Sequence, residues 1–317
     1  MFDIFGVSLL VGLAVLFGWL TRRAWHANRR VLKWPGAVLS GLLTLVFAAA
    51  LAAALVGYAK LNRKYDNPVP RVSVDVTPER IAKGERFGAS FCAACHAADE
   101  SPPMEGRDFL EDAPPILGAL FGTLYAPNLT PTHLGEWTDG EIIRAIREGI
   151  HRSGRSLMIM PSKALRNLSD DDVQAIVAFL RSQPPVEPDT PPNNLSVLGA
   201  IMVNFEPVFE AQPPLTEPVV APPAGPTAAY GEYLASYTCS ICHGADLDGD
   251  DVFGGPGLAG VGLTWTEEQF IHFIRTGERP SGPAVDSELM PWEILSKLYE
   301  DDDELRAIFA HLGTLGG

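Results

Sequence analysis

The sequence predicts an all-α chain in which an N-terminal transmembrane helical hairpin precedes two copies of one small helical domain. Three observations carry this. Two long uncharged apolar runs lie near the N-terminus, a Cys-x-x-Cys-His pattern occurs twice, and the helical patterns around it recur in the same order. The chain has 317 residues, 20% of them charged, with a net charge of −15 and four cysteines. Such a length suits two domains of about 100–150 residues with additions. The acidic balance argues against nucleic acid as a partner, since a phosphate-binding surface needs a basic patch. Four cysteines are too few to staple a chain this long, so its core comes from packing or from a bound group.

The hairpin comes first. Residues 4–20 and 35–59 carry no charge. At 1.5 Å per residue these runs extend about 26 and 38 Å, against a hydrocarbon core of roughly 30 Å. A cleaved signal peptide would want a basic start, and Asp3 is the one charge before the first run, so the segment is expected to be retained. The link between the runs holds Arg22, Arg23, Arg29, Arg30 and Lys33 and no acid, while Lys60, Arg63 and Lys64 stand against Asp66 after the second. Positive-inside bias then puts the loop in the cytoplasm and both termini outside, with Trp25 and Trp34 at the interface. Neither run contains a histidine or a charge that could serve chemistry at membrane depth, so the hairpin reads as an anchor. Gly36, Ser40, Thr44, Ala48 and Ala52 form a small-residue ladder, which suits packing either on the first helix or on a partner subunit.

All four cysteines fall in Cys92-Ala93-Ala94-Cys95-His96 and Cys239-Ser240-Ile241-Cys242-His243. This is the attachment pattern of c-type haem: two thiols add across the vinyl groups and the adjacent histidine becomes an axial ligand. A redox pair or half a zinc site is the alternative for one copy, and the second copy weighs against it. Two covalently bound haem c groups are therefore expected. Methionine is the usual sixth ligand of an electron-transfer cytochrome c. Met290-Pro291 offers it in the second unit, and Met160-Pro161 is its counterpart in the first, ahead of Met158 and Met104.

The flanking helices repeat as well. Trp137-Thr138-Asp139 with Ile143, Ile146, Arg147 and Gly149 matches Trp265-Thr266-Glu267 with Ile271, Ile274, Arg275 and Gly277, 128 residues on. Acids at the start and glycine at the end fit one helix in each copy. After each Met-Pro follow acids and a second apolar stripe, Val173, Ile176 and Leu180 or Leu305, Ile308 and Leu312. The order helix, CxxCH, loop, helix, Met-Pro, helix resembles the class I cytochrome c domain over residues 77–182 and 228–315. That resemblance implies that the first and last helices cross and that the haem forms much of the core. The division expected is 1–70 anchor, 71–181 first haem domain, 182–227 proline-rich linker and 228–317 second haem domain.

Ala126-Pro127-Asn128-Leu129-Thr130-Pro131 followed by Gly135-Glu136-Trp137-Thr138-Asp139 resembles a signature of the multihaem cytochrome subunits of membrane alcohol, gluconate and aldehyde dehydrogenases. The resemblance implies that Asn128, Thr130 and Trp137 line the first haem pocket near the propionates, with Trp265 as the repeat counterpart of Trp137. A plain loop with a core tryptophan is the other reading. An N-terminal anchor with two motifs, where those subunits usually have three, resembles in layout the dihaem subunit of cbb3-type oxidases. Residues 97–127 are extra to the first unit and are expected to cover an edge of its haem. The linker has 12 of the 27 prolines and no Lys or Arg. Its apolar residues Leu195, Val197, Leu198, Ile201, Met202, Val203, Phe205, Val208 and Phe209 are expected to pack on a haem domain or a partner.

Charge is uneven: +6 over residues 1–70, −4 over 71–181, −5 over 182–227 and −12 over 228–317. The sequence thus points to an electron relay on the periplasmic face of a bacterial inner membrane, a subunit of a respiratory complex whose acidic outer domain docks a basic cytochrome or oxidase. The competing class is a haem enzyme of thiosulfate dehydrogenase or peroxidase type, with Met160, Met158 or His151 as a labile distal ligand. Whether the chain is a catalyst by itself stays open. A haem sensor would need an output module for which no residues remain.

Overall fold

Asp3 opens the first helix, its carboxylate accepting from Gly6 N at 2.8 Å, where the helix dipole favours negative charge. The computed structural model describes residues 3–28, 30–111, 113–205, 211–250 and 254–315; Arg29, Val208 and Phe209 lie outside them. The apolar runs become α1 (Ile4–Trp25) and α2 (Arg30–Asn62). The chain continues through α3 (Pro78–Phe87), a π-helical turn at Gly88–Cys92, α4 (Ala93–His96), α5 (Pro115–Phe121), α6 (Pro131–Leu134) and α7 (Asp139–Glu148). Then come α8 (Ser162–Leu165), α9 (Asp170–Ser182), α10 (Val197–Met202), α11 (Ala228–Tyr237) and α12 (Ser240–His243). The last are α13 (Ala259–Thr264), α14 (Glu267–Thr276), α15 (Trp292–Leu298) and α16 (Asp302–Leu312). The all-α expectation holds: every described strand is two residues long.

Packing groups the described residues of Met1–Arg63, Asp108–Tyr125 and Pro191–Phe209 into one compact unit. Those of Lys64–Arg107, Ala126–Thr190 and Glu210–Gly317 form the other. In the first unit α1 packs along α2. Phe17 stacks on Phe47 at 5.5 Å, and Thr21 Oγ1 donates to Ser40 Oγ at 3.0 Å. The small-residue ladder faces α1 over its first half. A Cβ on Gly36 would stand 3.3 Å from Ala24 Cβ, and one on Gly18 3.8 Å from Thr44 Cγ2. Ala48 and Ala52 are exposed. No residue of α1 is buried, and both helices are long and apolar enough to cross a membrane.

Two segments expected elsewhere join this unit. The apolar middle of the linker forms α10, which packs on α2: Ala54 and Ala200 are fully buried and Asn204 Nδ2 donates to Ala53 O at 2.9 Å. It was expected on a haem domain or a partner, because periodicity shows that a face is apolar and not which surface covers it. Likewise residues 108–125 group with the hairpin. Their α5 packs on α10, and Gly122-Thr123 pairs antiparallel with Asn194-Leu195.

The second unit holds both repeats around one continuous set of buried apolar side chains, from Phe87, Trp137 and Ile176 to Leu234, Phe270 and Ile308. In each repeat the first and last helices cross at a glycine. A Cβ on Gly84 would lie 1.9 Å from Ala175 O of α9, and one on Gly231 1.8 Å from Ala307 O of α16. The middle helices start and stop as expected. Thr138 with Glu141, and Thr266 with Gln269, form capping boxes, while Gly149 and Gly277 end the helices with φ of 64° and 73°.

Replacing Gly84 or Gly231 with alanine forces the crossing backbones apart and is expected to cost about 3 kcal/mol. Nothing lies within 4 Å of a Cβ on Gly118, so Gly118→Ala in α5 leaves stability unchanged or raises it by up to about 1 kcal/mol. Thermal unfolding followed by circular dichroism compares the three variants.

Candidate haem sites

Crossing α3 over α9 delivers the chain, through the π-helical turn, to Cys92 and then His96 on α4; α11 and α12 do the same for Cys239 and His243. None of the four cysteines is in a disulfide. Burial pushes Cys92 up to about 12 and Cys239 up to about 11, and raises Cys95 and Cys242 too. A redox CxxC needs a stabilised thiolate, and this environment favours the neutral thiol instead. Among the described residues there is also no group of three or more His, Cys, Asp or Glu side chains able to hold a metal ion.

The two histidines are held alike. His96 Nδ1 lies 2.8 Å from Pro127 O, and His243 Nδ1 2.7 Å from Pro256 O. A carbonyl only accepts, so Nδ1 carries the proton and Nε2 keeps its lone pair. Burial lowers the His96 pKa, which also favours the neutral ring. Each motif therefore presents a neutral imidazole with a free Nε2 beside two uncommitted thiols, and these residues fit a covalently attached haem.

Met160 and Met290 are half-buried and pack against the shared core. Met158 sits two residues earlier, beyond Ile159, whose φ of 58° turns the backbone at a β-branched residue. Met104 is fully buried and belongs to the core. Trp137 is buried with its ring edge-on to His151 at 4.8 Å, and Trp265 lies edge-on to Phe273 at 5.2 Å.

Asn128 and Thr130 are completely buried. Asn128 Oδ1 accepts from Thr130 N at 2.8 Å and from Thr130 Oγ1 at 2.6 Å, and Asn128 Nδ2 donates to Val186 O at 2.9 Å. Thr130 Oγ1 in turn accepts from Val186 N at 3.2 Å. Their polar atoms thus latch the loop to the chain beyond α9 and hold Pro127, whose carbonyl orients His96. The sequence gives no direct sign of this latch, since Val186 lies in the linker.

His151 was a distal candidate beside Met160 and Met158. Its Nδ1 accepts from Ser153 N at 3.0 Å, which places the ring proton on Nε2 and leaves no lone pair there for iron. Burial, with Arg155, His133, Arg152 and Arg144 nearby, pushes its pKa down to about 4.

Two contacts between the repeats escaped the sequence pattern. Arg86 of α3 pairs with Glu304 of α16 at 3.0 Å, and Tyr233 of α11 donates to Asp172 of α9. Arg86 and Tyr233 both stand six residues before the first motif cysteine, and Asp172 and Glu304 each stand one residue before the first apolar position of the last helix. They are therefore the same contact made twice, as a pseudo-two-fold arrangement requires. The helix after each Met-Pro completes it: α8 packs on α11 and α12, and α15 on the π-helical turn and α3. Between the motifs runs an aromatic chain, with Phe91–Phe87 at 5.1 Å, Phe87–Tyr237 at 5.8 Å and Tyr237–Tyr233 at 5.1 Å. Burial raises Asp172, but Lys83, Ser169 and Tyr233 outweigh it and hold the carboxyl below its ordinary range.

Two measurements follow from these environments. The folded chain resists protonating His151 while the unfolded chain takes up that proton near pH 6.5, so stability falls as pH drops from about 6.5 towards 4. His151→Asn is expected to flatten urea-denaturation stability over that window. Tyr233→Phe leaves Asp172 without one buried partner and is expected to cost about 1–2 kcal/mol, measured by the same titration at pH 7.

The comparisons with known proteins agree with this geometry. A family described as cytochrome c oxidase, cbb3-type, subunit III matches residues 79–180 and 226–312. A nicotinate dehydrogenase subunit of Pseudomonas putida is 30% identical over 276 residues, covering 75% of this chain and 21% of that protein. The cytochrome c subunit of a quinone-dependent alcohol dehydrogenase from Gluconacetobacter polyoxogenes is 29% identical over 259 residues, 71% of this chain and 53% of that one. Its Gluconobacter oxydans counterpart is 28% identical over 280 residues, 76% and 56%. The chain thus spans from about a fifth to just over half of the length of these relatives. With both matched segments falling on the repeats, each ending in a helix that crosses its first at a glycine, the chain belongs to the cytochrome c family of that cbb3-type description, which implies covalently bound haem c.

Proposed function

We propose that the chain is a membrane-held dihaem cytochrome c that relays single electrons between a respiratory-chain donor and an acceptor, as one subunit of a larger membrane complex. Cys92, Cys95 and His96 with Met160 would hold one haem, and Cys239, Cys242 and His243 with Met290 the other. The observation that carries this reading is the duplicated histidine geometry, a neutral ring fixed through Nδ1 by a proline carbonyl, in two repeats that share one core. When bound, each haem supplies a one-electron change at iron. The protein's part would be to hold each group through its motif histidine and its methionine and to exclude water, so that little rearranges on reduction. The aromatic chain and the helices packed across the pseudo-two-fold support transfer between the two sites. The tautomer of His151 speaks against a catalytic distal histidine.

Relatives that are cytochrome c subunits of dehydrogenases support a place beside a dehydrogenase. The basic loop between α1 and α2 supports haem domains on the periplasmic side. Towards the acceptor, Leu289 is 83% exposed next to Met290 and flanked by Asp286 and Glu288, in the segment of net charge −12. An exposed apolar residue beside acids suits a lysine-rich partner.

Ferric protein is expected to show the methionine-sulfur charge-transfer band. Met160→Ala and Met290→Ala should each remove about half of it, as expected when each haem has one methionine ligand, and Met158→Ala none. Loss with Met158→Ala and not with Met160→Ala would reassign the first ligand, and no band in the parent protein would remove methionine ligation altogether. Stopped-flow electron transfer to a basic soluble cytochrome should slow steeply with ionic strength; a flat dependence would contradict docking through the acidic domain.

A further inference from the structure

We propose that α5 and α10 form a second, non-spanning membrane contact, seated in the outer edge of the bilayer against the hairpin. This rests on the reading of α1 and α2 as membrane-spanning. The depth follows from what α10 touches. Asn204 Nδ2 donates to Ala53 O, and a Cβ on Gly57 would stand 1.7 Å from Ala200 O, so α10 lies directly on the last apolar turns of α2. Lys60 is the first charge beyond, seven residues from Ala53, or about 10 Å along the helix. At the other helix, Asp3 Oδ2 accepts from Val197 N at 3.3 Å. α10 is thereby held at the level where the apolar run of α2 ends and that of α1 begins.

The exposed residues of α5 and α10 are apolar. Ile116 and Leu120 of α5 are 59% and 41% exposed, Leu198 and Met202 of α10 are 37% and 40%, and Phe205 is 72%. No charged residue occurs between Asp112 and His133, or between Asp189 and Glu206. Water would make such a patch costly; lipid tails would not. These residues share one compact unit with the exposed apolar residues of the hairpin, and α10 is seated on the last apolar turns of α2, which names the occupant as lipid.

Backbone polar groups tell the same way. At membrane depth each must find a partner inside the protein. Asp3 caps both α1 and α10, accepting from Gly6 N and Val197 N. Ser196 Oγ accepts from Gly199 N at 3.2 Å and donates to Leu120 O, while Ser196 N donates to Phe121 O at 3.0 Å. Tyr58 Oη accepts from Asp3 N and donates to Leu195 O at 3.1 Å. The ends of two short helices are thus satisfied by one another and by the hairpin. The chain passes between the two compact units five times, so both excursions from the haem unit, and not only the hairpin, would end in lipid.

The test uses the full holoprotein in phospholipid vesicles doped with a phospholipid bearing a diazirine in its acyl chain. After irradiation, adducts are mapped by peptide mass spectrometry. Adducts are expected within 114–121 and 195–205 at yields similar to those of the hairpin and several-fold above those around Leu289. Adducts on the hairpin but only background in both segments would overturn the proposal while leaving the hairpin reading intact. Absence of adducts from α1 and α2 as well would overturn both. Segments 195–205 of two chains joined by a bifunctional cross-linker, with lipid adducts missing there, would assign the surface to a second copy instead.

Discussion

The closest approach in the haem unit is backbone against backbone. Gly84 on Ala175 and Gly231 on Ala307 leave no room for a Cβ, and everything functional is arranged around these crossings. The first helix of each repeat runs from its glycine straight to the cysteines, and the last begins shortly after Met-Pro. Crossing the two brings together stretches of chain 91 and 76 residues apart, and so closes the frame of each repeat. A side chain at the crossing would pry that frame open before it touched any ligand.

Around that frame the repeats are joined by the same contact in two chemical forms. Arg86 with Glu304 is an ion pair, while Tyr233 with Asp172 is a neutral donor on a carboxylate. Glu304 stays raised because its burial outweighs the pull of Arg86, whereas Asp172 gains enough bonds to stay ionised. The divergence is what a duplicated interface tolerates: each side needs one donor and one acceptor, and charge is optional. Because the helices after Met-Pro pack on the opposite repeat, a shift at this interface would reach both candidate methionine loops.

Much of this was legible in the residues. The two CxxCH motifs and the capped middle helices follow local rules of spacing and chemistry, and the structure places them accordingly. What was not legible needed tertiary information. The interface pairs sit in helices whose repeat offsets differ, 147 for α3 and α11 but 132 for α9 and α16, so no single alignment brings them into register. The hydrogen bonds of Asn128 and Thr130 go to Val186, across a stretch with no pattern of its own. The linker's apolar residues showed that something covers them, and the choice of α2 depends on glycine at position 57, a detail of fit and not of hydrophobicity.

The central claim is that each repeat is built on its own covalently held haem, with the four cysteines consumed by the pair. Intact-mass spectrometry of the denatured full chain tests it most directly, for thioether-bound haem survives unfolding. The account predicts a mass increase of two haems, falling to one in a Cys92→Ser/Cys95→Ser variant and to the other one in Cys239→Ser/Cys242→Ser. A single haem retained in the parent chain, or none, would contradict it.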